Sequence, residues 1–341
     1  MPQPSSPEAS PSAEQTREVW TFLADAGLLS GGTSPSVQPL SGGVSSDIWL
    51  VRDGDRSVVV KTPLLRLRVA ADWQAPLTRS DAEARWLRNA SRLVPGICPD
   101  VLAYDAERHL LALSYLDPAN HQVWKSELLD GHIDPEVAYE VGRRLGRLHS
   151  RAAAEPELAG EFANEDLFRA LRIEPYLESL FDPHPDLVEA ITAVIDTTLA
   201  TRTTLVHGDV SPKNILVGPL GPVLLDAETA HWGDPAFDVA FCLNHLLLKC
   251  LTPRAETTML VESAHRLLEG YLETSGSGPE LDTRIARLLP ALMLARVDGR
   301  SPVEYLKGEH QTLVRSFART YIVDPTDVTS GIVDVWKVTA A

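Results

Sequence analysis

The chain has 341 residues, 31 Lys or Arg against 47 Asp or Glu, a formal net charge of −16, and 44% hydrophobic residues. That balance supports a sizeable core in two domains or one two-lobed unit, and it excludes a wholly disordered, collagen-like or small disulfide-stapled protein. Such acidity argues against nucleic acid as a partner, because phosphates need a basic surface.

The first fifteen residues, MPQPSSPEASPSAEQ, are rich in Pro and Ser and lack the basic start and apolar stretch of a secretion signal. Residues 1–15 therefore read as a disordered tail on a cytoplasmic protein. A short helix is expected over 16–26. Between 37 and 61 the period changes: Ile48, Leu50 and the run Val58 to Val60 read as strands. Asp53-Gly54-Asp55 between them is a hairpin signal, since Gly relieves the positive φ of a tight turn. Ala82, Trp86 and Leu87 at helical spacing mark a helix over 79–89, and strand-like runs follow at 101–104 and 110–115. Residues 16–116 thus form a β-rich unit with one main helix.

From 117 to 341 the pattern is mostly helical, over 136–150, 187–200, 236–251, 256–274, 282–295 and 303–320. The exception is 204–226, where short β-branched runs flank loops. The fold class is α+β with two lobes. Cys98, Cys242 and Cys250 are too few and too isolated for a disulfide framework or a zinc set. The apolar run over 288–295 contains Pro290 and falls far short of the ~18 residues that span a bilayer, so no membrane partner is expected.

The most informative segment is LVHGDVSPKNILV, residues 205–217. An apolar run leads into a polar loop with Asp209 and, five residues on, Asn214, before a second apolar run. Twelve residues after Asn214, the strand Val223-Leu224-Leu225 delivers Asp226. Phosphoryl transfer from ATP needs this kit, because its transition state asks for alignment and charge neutralisation rather than covalent help. Asp209 suits the acceptor of the attacking hydroxyl's proton. Asn214 and Asp226 suit Mg²⁺, which takes hard oxygen ligands and keeps several waters.

HGDxxxxN over 207–214, Asp226, and the block Gly233-Asp234-Pro235-Ala236-Phe237-Asp238 together resemble the aminoglycoside phosphotransferase and choline kinase-like family of small-molecule kinases. The resemblance covers residues 36–320. It implies a protein-kinase-like fold with a β-rich N-lobe, a hinge and a helical C-lobe. It implies ATP and Mg²⁺ as cofactors and a phosphate-covering loop at Ser41, Gly42 and Gly43, where backbone N–H groups cradle anionic oxygens. Lys61 resembles the lysine that bridges the α- and β-phosphates, and Glu83 is the expected carboxylate that holds it, with Asp81 as the fallback. Ser114, Tyr115 and Leu116 resemble the hinge, whose main chain meets the adenine edge. Asp238 is expected to accept backbone N–H bonds from the catalytic loop, and His207 and His149 to pack as structural histidines.

Two departures matter. Asp226 is followed by Ala227 and Glu228 rather than Phe-Gly, and no Ala-Pro-Glu follows, which disfavours a protein kinase. Glu228, two residues on in an extended segment, either adds a metal contact or is a surface acid. Lys213 either meets the γ-phosphate or points into solvent.

In the resembling family the acceptor is recognised by the helical lobe, here about 155–186 and 288–306, where Arg296, Asp298 and Arg300 either face the acceptor or mark an ordinary helix break. Residues 125–189 hold 15 acidic and 7 basic side chains, half of the net charge. These acids either receive a cationic substrate or form solvated helix faces. The expected activity is transfer of the γ-phosphate of ATP to a hydroxyl of an amino sugar, aminoglycoside-like molecule or other sugar, by a monomer or homodimer. Methylthioribose, choline or homoserine kinases are the alternatives within that chemistry. A nucleotide-binding regulator without transferase activity is the rival from another class.

Overall fold

The computed structural model of the protein describes residues 12–30, 35–40, 45–65 and 76–340. The chain divides into two compact units. The first runs to Asn89 and includes Pro99–Asp117, and the second comprises Ala90–Cys98 and everything from Pro118 onward.

In the first unit, α1 (Ala13–Asp25) begins inside the stretch expected to be a tail. The reason is local: Gln15 N donates to Ser12 Oγ (3.1 Å) and Ser12 N donates to Gln15 Oε1 (3.0 Å), a capping box that satisfies N–H groups otherwise left open at a helix start. Strands β1 (Ser36–Pro39), β2 (Ser46–Asp53), β3 (Arg56–Pro63), β4 (Val101–Asp105) and β5 (Leu110–Ser114) form an antiparallel sheet in the order β1-β2-β3-β5-β4. Gly54, at φ +59°, closes the β2–β3 hairpin as its sequence suggests. Val19, Phe22 and Leu23 of α1 share a core with Trp49, Val51, Val58, Val60, Leu110 and Ala112. Because side chains alternate along a strand, Lys61 leaves β3 on the opposite face from Val58 and Val60. Helix α2 (Arg79–Leu93) starts at a fully buried Arg79, whose guanidinium donates to the carbonyls of Pro76 (2.9 Å), Ser45 (2.5 Å) and Leu64 (2.6 Å).

In the second unit, the short strands β6 (Gln122–Val123), β8 (Ile215–Gly218) and β9 (Gly221–Leu224) form one antiparallel ribbon. Strands β7 (Thr204–Val206) and β10 (His231–Gly233) form another. Around them lie α3 (Trp124–Asp130), α4 (Pro135–Ala153), α5 (Leu158–Glu161), α6 (Glu165–Phe168), α7 (Val188–Ala200), α8 (Ala236–Lys249), α9 (Thr257–Ser275), α10 (Pro279–Asp298), α11 (Glu309–Val323) and α12 (Thr329–Thr339). Helices α4 and α9 approach so closely that a Cβ at Gly142 would sit 2.1 Å from Leu267 O, and one at Gly270 would sit 2.2 Å from Tyr139 O. Every residue of α8 is buried.

Three features depart from the sequence reading. Residues Arg169–Leu177 form a π-helical segment that contains Pro175, where no helix was expected. Helix α11 starts at Glu309 rather than 303, behind Gly308 at φ +57°. Helix α12 was not anticipated; its Trp336 is buried and donates to Leu247 O (2.8 Å). No helix among the described residues is long and apolar enough to cross a membrane.

Candidate active site

Strand β7 ends at Val206 and the chain enters the HGD loop under tight constraint. Asp238, fully buried in the first turn of α8, accepts from His207 N and Gly208 N, each at 2.8 Å, and lies 3.3 Å from His149 Nε2. Burial alone would raise the Asp238 pKa, but the hydrogen bonds from the His149 side chain and the His207 backbone outweigh it and hold the carboxyl below its ordinary value. Gly208 sits at φ +78°, where a Cβ would fall 2.5 Å from Thr229 Oγ1 and 2.8 Å from Thr229 O, so only glycine fits. Asp209 N donates to His207 Nδ1 (3.1 Å) while His207 Nε2 reaches Leu225 O (3.1 Å). One ring nitrogen must accept and the other donate, which makes this imidazole neutral with its proton on Nε2. Burial also lowers its pKa, so His207 braces the loop, as expected.

Asp209 is buried, and its two carboxylate oxygens have different surroundings. Oδ2 is met by Asn214 Nδ2 (2.8 Å), Arg172 Nη2 (3.0 Å) and Lys213 Nζ (3.1 Å). Oδ1 is buried with no hydrogen-bond partner in the protein. Asn214 Nδ2 also donates to Asp209 O (3.0 Å), which commits its amide nitrogen and leaves its carbonyl oxygen for a cation. Lys213 is half exposed. Partial desolvation of its amine opposes its charge, but the carboxylates of Asp209 and Asp226 outweigh this and raise its pKa.

Strand β9 and the Asn214 loop are tied by Leu225 N donating to Asn214 O (2.8 Å). Asp226 then takes φ +69°, a left-handed conformation that Asp tolerates better than most residues and that recurs at functional sites. The chain turns here rather than continuing extended, with Ala230 N bonded to Ala227 O (3.2 Å). Glu228 is therefore brought beside Asp226 by a turn and not by strand alternation, and it is buried rather than a surface acid. Carboxylate oxygens of the two lie within 4.8 Å of each other. An amide carbonyl and two carboxylates form the hard-oxygen donor set that a magnesium ion prefers, so these residues fit the ion the resemblance implies.

In the first unit, Lys61 Nζ lies 2.7 and 2.8 Å from the two carboxylate oxygens of Glu83, both side chains being buried. The fallback Asp81 instead accepts a bond from the Tyr104 hydroxyl. At the end of β5, Ser114 pairs with Asp100 through its backbone N–H and its hydroxyl, while Tyr115 and Leu116 leave the sheet half-buried. Ser41, Gly42 and Gly43 lie outside the described residues.

Sequence reasoning missed Arg172, which projects from the π-helical segment onto Asp209 and also donates through Nε to Gly208 O (2.6 Å). It did not single out Tyr176 or Tyr305 within the stretches 155–186 and 288–306, nor Phe241, Asn244, His245 and Lys249 of α8. The available signal was in α8: Asn244, His245 and Lys249 are polar residues on an otherwise apolar helix, which water cannot explain. Of the candidates near 296–300, Arg296 is buried and bonded to the Tyr176 hydroxyl (3.2 Å). Asp298 is a structural partner of His184 (2.8 Å) and Arg315 (2.7 and 2.8 Å), and Arg300 is exposed.

A β-rich unit with a lysine–glutamate pair, and a helical unit with an HGD loop braced by a buried aspartate, define a protein-kinase-like fold. The model of the phosphotransferase enzyme family APH matches residues 36–277, more than half of the chain, and the chain belongs to that family. Methylthioribose kinase of Yersinia pseudotuberculosis serotype O:3 (strain YPIII) is 28% identical over 232 residues, which cover 59% of this chain and 56% of that protein. The chain thus spans little more than half the length of the curated relatives it matches. Among solved structures, the amicoumacin kinase hAmiN in complex with AMP-PNP, Ca²⁺ and Ami superposes with a TM-score of 0.58 at 15% identity, covering 94% of this chain and 99% of that one. A choline/ethanolamine kinase family protein from Mesorhizobium loti gives a TM-score of 0.51 at 17% identity, covering 95% and 93%.

Proposed function

We propose that the protein is a small-molecule kinase that transfers the γ-phosphoryl group of ATP to a hydroxyl of a sugar-like acceptor. The carrying observation is the asymmetry of Asp209. Three donors hold Oδ2 and so fix the carboxylate plane, while Oδ1 is left as the one oxygen able to take a proton. In the reaction the acceptor O–H bond breaks and an O–P bond forms. The proton goes to Asp209 and the bond from the γ-phosphorus to ADP breaks.

Asn214, Asp226 and Glu228 would hold Mg²⁺, which when bound neutralises charge on the transferring phosphate. Lys61, fixed by Glu83, supplies a positive charge for the nucleotide phosphates. Lys213 adds a cation beside the base, suited to the γ-phosphate. The methylthioribose kinase relatives support a sugar-derived acceptor over an amino alcohol. Lys61, Asp209, Asn214 and Asp226 are all intact, which disfavours a regulator without transferase activity.

The test is ADP release with Mg-ATP across sugars, sugar derivatives, aminoglycosides, amino alcohols and amino acids, with Asp209→Asn alongside. An acceptor that releases ADP with the native chain and not with the variant supports the proposal. Equal release from both would refute the role of Asp209.

A further inference from the structure

From Asp209 outward, the second unit packs cations and aromatic rings against one another in a chain of contacts. Arg172, bound to Asp209, stacks its guanidinium over Tyr176 (5.9 Å) and Phe241 (5.8 Å). Tyr176 lies 5.5 Å from Phe241 and carries Arg296 over its ring (5.6 Å) as well as on its hydroxyl. Phe241, His245 and Lys249 recur every four residues and so share one face of α8. The rings of Phe241 and His245 are 5.1 Å apart, and Lys249 sits over the Tyr305 ring (5.6 Å).

The charges along this chain of contacts do not balance. Asp209 answers Arg172 and Lys213, and Glu304 answers Lys125 (2.5 Å). Arg296 bonds only to the Tyr176 hydroxyl and to the carbonyl and hydroxyl of Ser301, and Lys249 only to His245 O (3.3 Å). Neither forms an ion pair with a carboxylate among the described residues, although both are buried; the Glu304 carboxylate acts on each from farther off, and burial lowers the Lys249 pKa to about 7. Burial first, and then the cations Arg296, Lys249, Lys213 and Lys125, push the His245 pKa well below its ordinary value. Several hydrogen-bonding atoms here are also buried without partners: Arg296 Nε, Tyr305 Oη, Ser211 Oγ and both amide atoms of Asn244. Leaving such groups unmatched is costly, and leaving buried cations uncompensated is more so.

We propose that the acceptor is a hydroxylated anion, whose carboxylate or phosphate is received by Arg296, Lys249 and Tyr305 while its hydroxyl reaches Asp209. The inference rests on the kinase reading and specifies its substrate class. It assigns the acceptor a charge opposite to the one suggested by the acidic stretch over 125–189. Several of those acids are spent elsewhere: Glu136 pairs with Arg266, Glu155 with Arg92, Glu178 with Arg169 and Asp186 with Arg319. Asn244 donates and accepts at one position, which suits a hydroxyl on the carbon skeleton, and Tyr176 and Phe241 supply apolar surface for its C–H groups.

The test has a binding arm and a turnover arm on the full chain. Thermal stabilisation is measured with D-glycerate, D-gluconate and D-ribose 5-phosphate, and with glycerol, D-ribose, D-glucosamine and choline as neutral and cationic counterparts. ADP release is then measured with Mg-ATP and each compound. The expected result is stabilisation and turnover by members of the anionic set alone, with carboxylates and phosphates compared to tell which headgroup is used. Lys249→Met and Tyr305→Phe should raise KM for that acceptor about tenfold to a hundredfold and leave KM for ATP unchanged. Tyr305→Phe removes only a hydroxyl, so it remains informative if Lys249→Met folds poorly.

A neutral or cationic acceptor turned over with a KM indifferent to both variants would overturn the inference and leave the kinase reading standing. Anions that bind, lose affinity in both variants and never release ADP would uphold the site and sink the kinase reading. No stabilisation or turnover by any anion in the set would overturn the inference.

Discussion

Asp238→Ala is the perturbation with the most predictable consequence. The carboxylate accepts backbone N–H bonds from His207 and Gly208 at 2.8 Å and faces His149 at 3.3 Å, all in a fully buried position. Hydrogen bonds to a charged acceptor contribute about 1.5–3 kcal/mol each, and two backbone donors would be left buried and unmatched. The charged carboxylate itself costs energy to bury, which offsets part of that sum, so the expected loss is about 3–5 kcal/mol. That is a large fraction of the ~5–15 kcal/mol that stabilises a typical domain. Asp238→Asn should rescue little, because one of the two backbone N–H groups would then face an amide NH₂.

The assay is urea unfolding combined with amide hydrogen exchange resolved to the 205–210 segment. Exchange of the His207 and Gly208 amides should accelerate more than that of β3, and ADP release should fall with it. A variant within 1 kcal/mol of native stability (roughly the effect of a typical point substitution), with protected amides at 207 and 208, would refute the bracing role.

Asp209→Asn should reduce turnover about 10²–10⁴-fold while leaving the unfolding midpoint close to native, because the side chain's shape and its contact to Asn214 are largely kept; steady-state kinetics and melting curves read both. Acid should destabilise the fold through histidines buried in neutral form. Burial pushes His231 down to about 4, so between about 4 and the ordinary 6.5 the unfolded chain binds a proton that the folded chain does not. Stability therefore rises with pH across that window and is lost as pH falls through it, by up to about 3 kcal/mol for this group. Urea midpoints at pH 4.5 and 7 check this, and His231→Gln should flatten the difference. Gly142→Ala places a methyl 2.1 Å from Leu267 O and must separate α4 from α9, costing at least about 1–3 kcal/mol, read as a lower melting temperature.

Groups close in sequence were the most legible. The HGD loop, Asn214 and Asp226 occupy a short stretch whose spacing constrains them, and Lys61, at the end of a strand, was singled out by the family resemblance. Glu83 over Asp81 was legible only as a preference. The structure decides it because Tyr104, brought alongside by β4, engages Asp81. Glu228 was drawn into the candidate metal set by an extended-segment argument that the turn at Asp226 overrules, although the two carboxylates still meet.

The amino-acid sequence by itself indicated the β-rich and helical halves, through local periodicity, and the kinase-like class with its candidate phosphate-handling residues, through short motifs that resemble a known family. Only the tertiary structure decided which side chains gather around Arg172 and the rings of Tyr176 and Phe241. Arg172, Lys249, Arg296 and Tyr305 come from four separate segments of the chain. A buried arginine or lysine in an apolar helix has no local pattern that distinguishes a packed side chain from a binding one. Its partners, or their absence, are set by packing between elements distant in sequence, and that packing fixes where uncompensated charge remains.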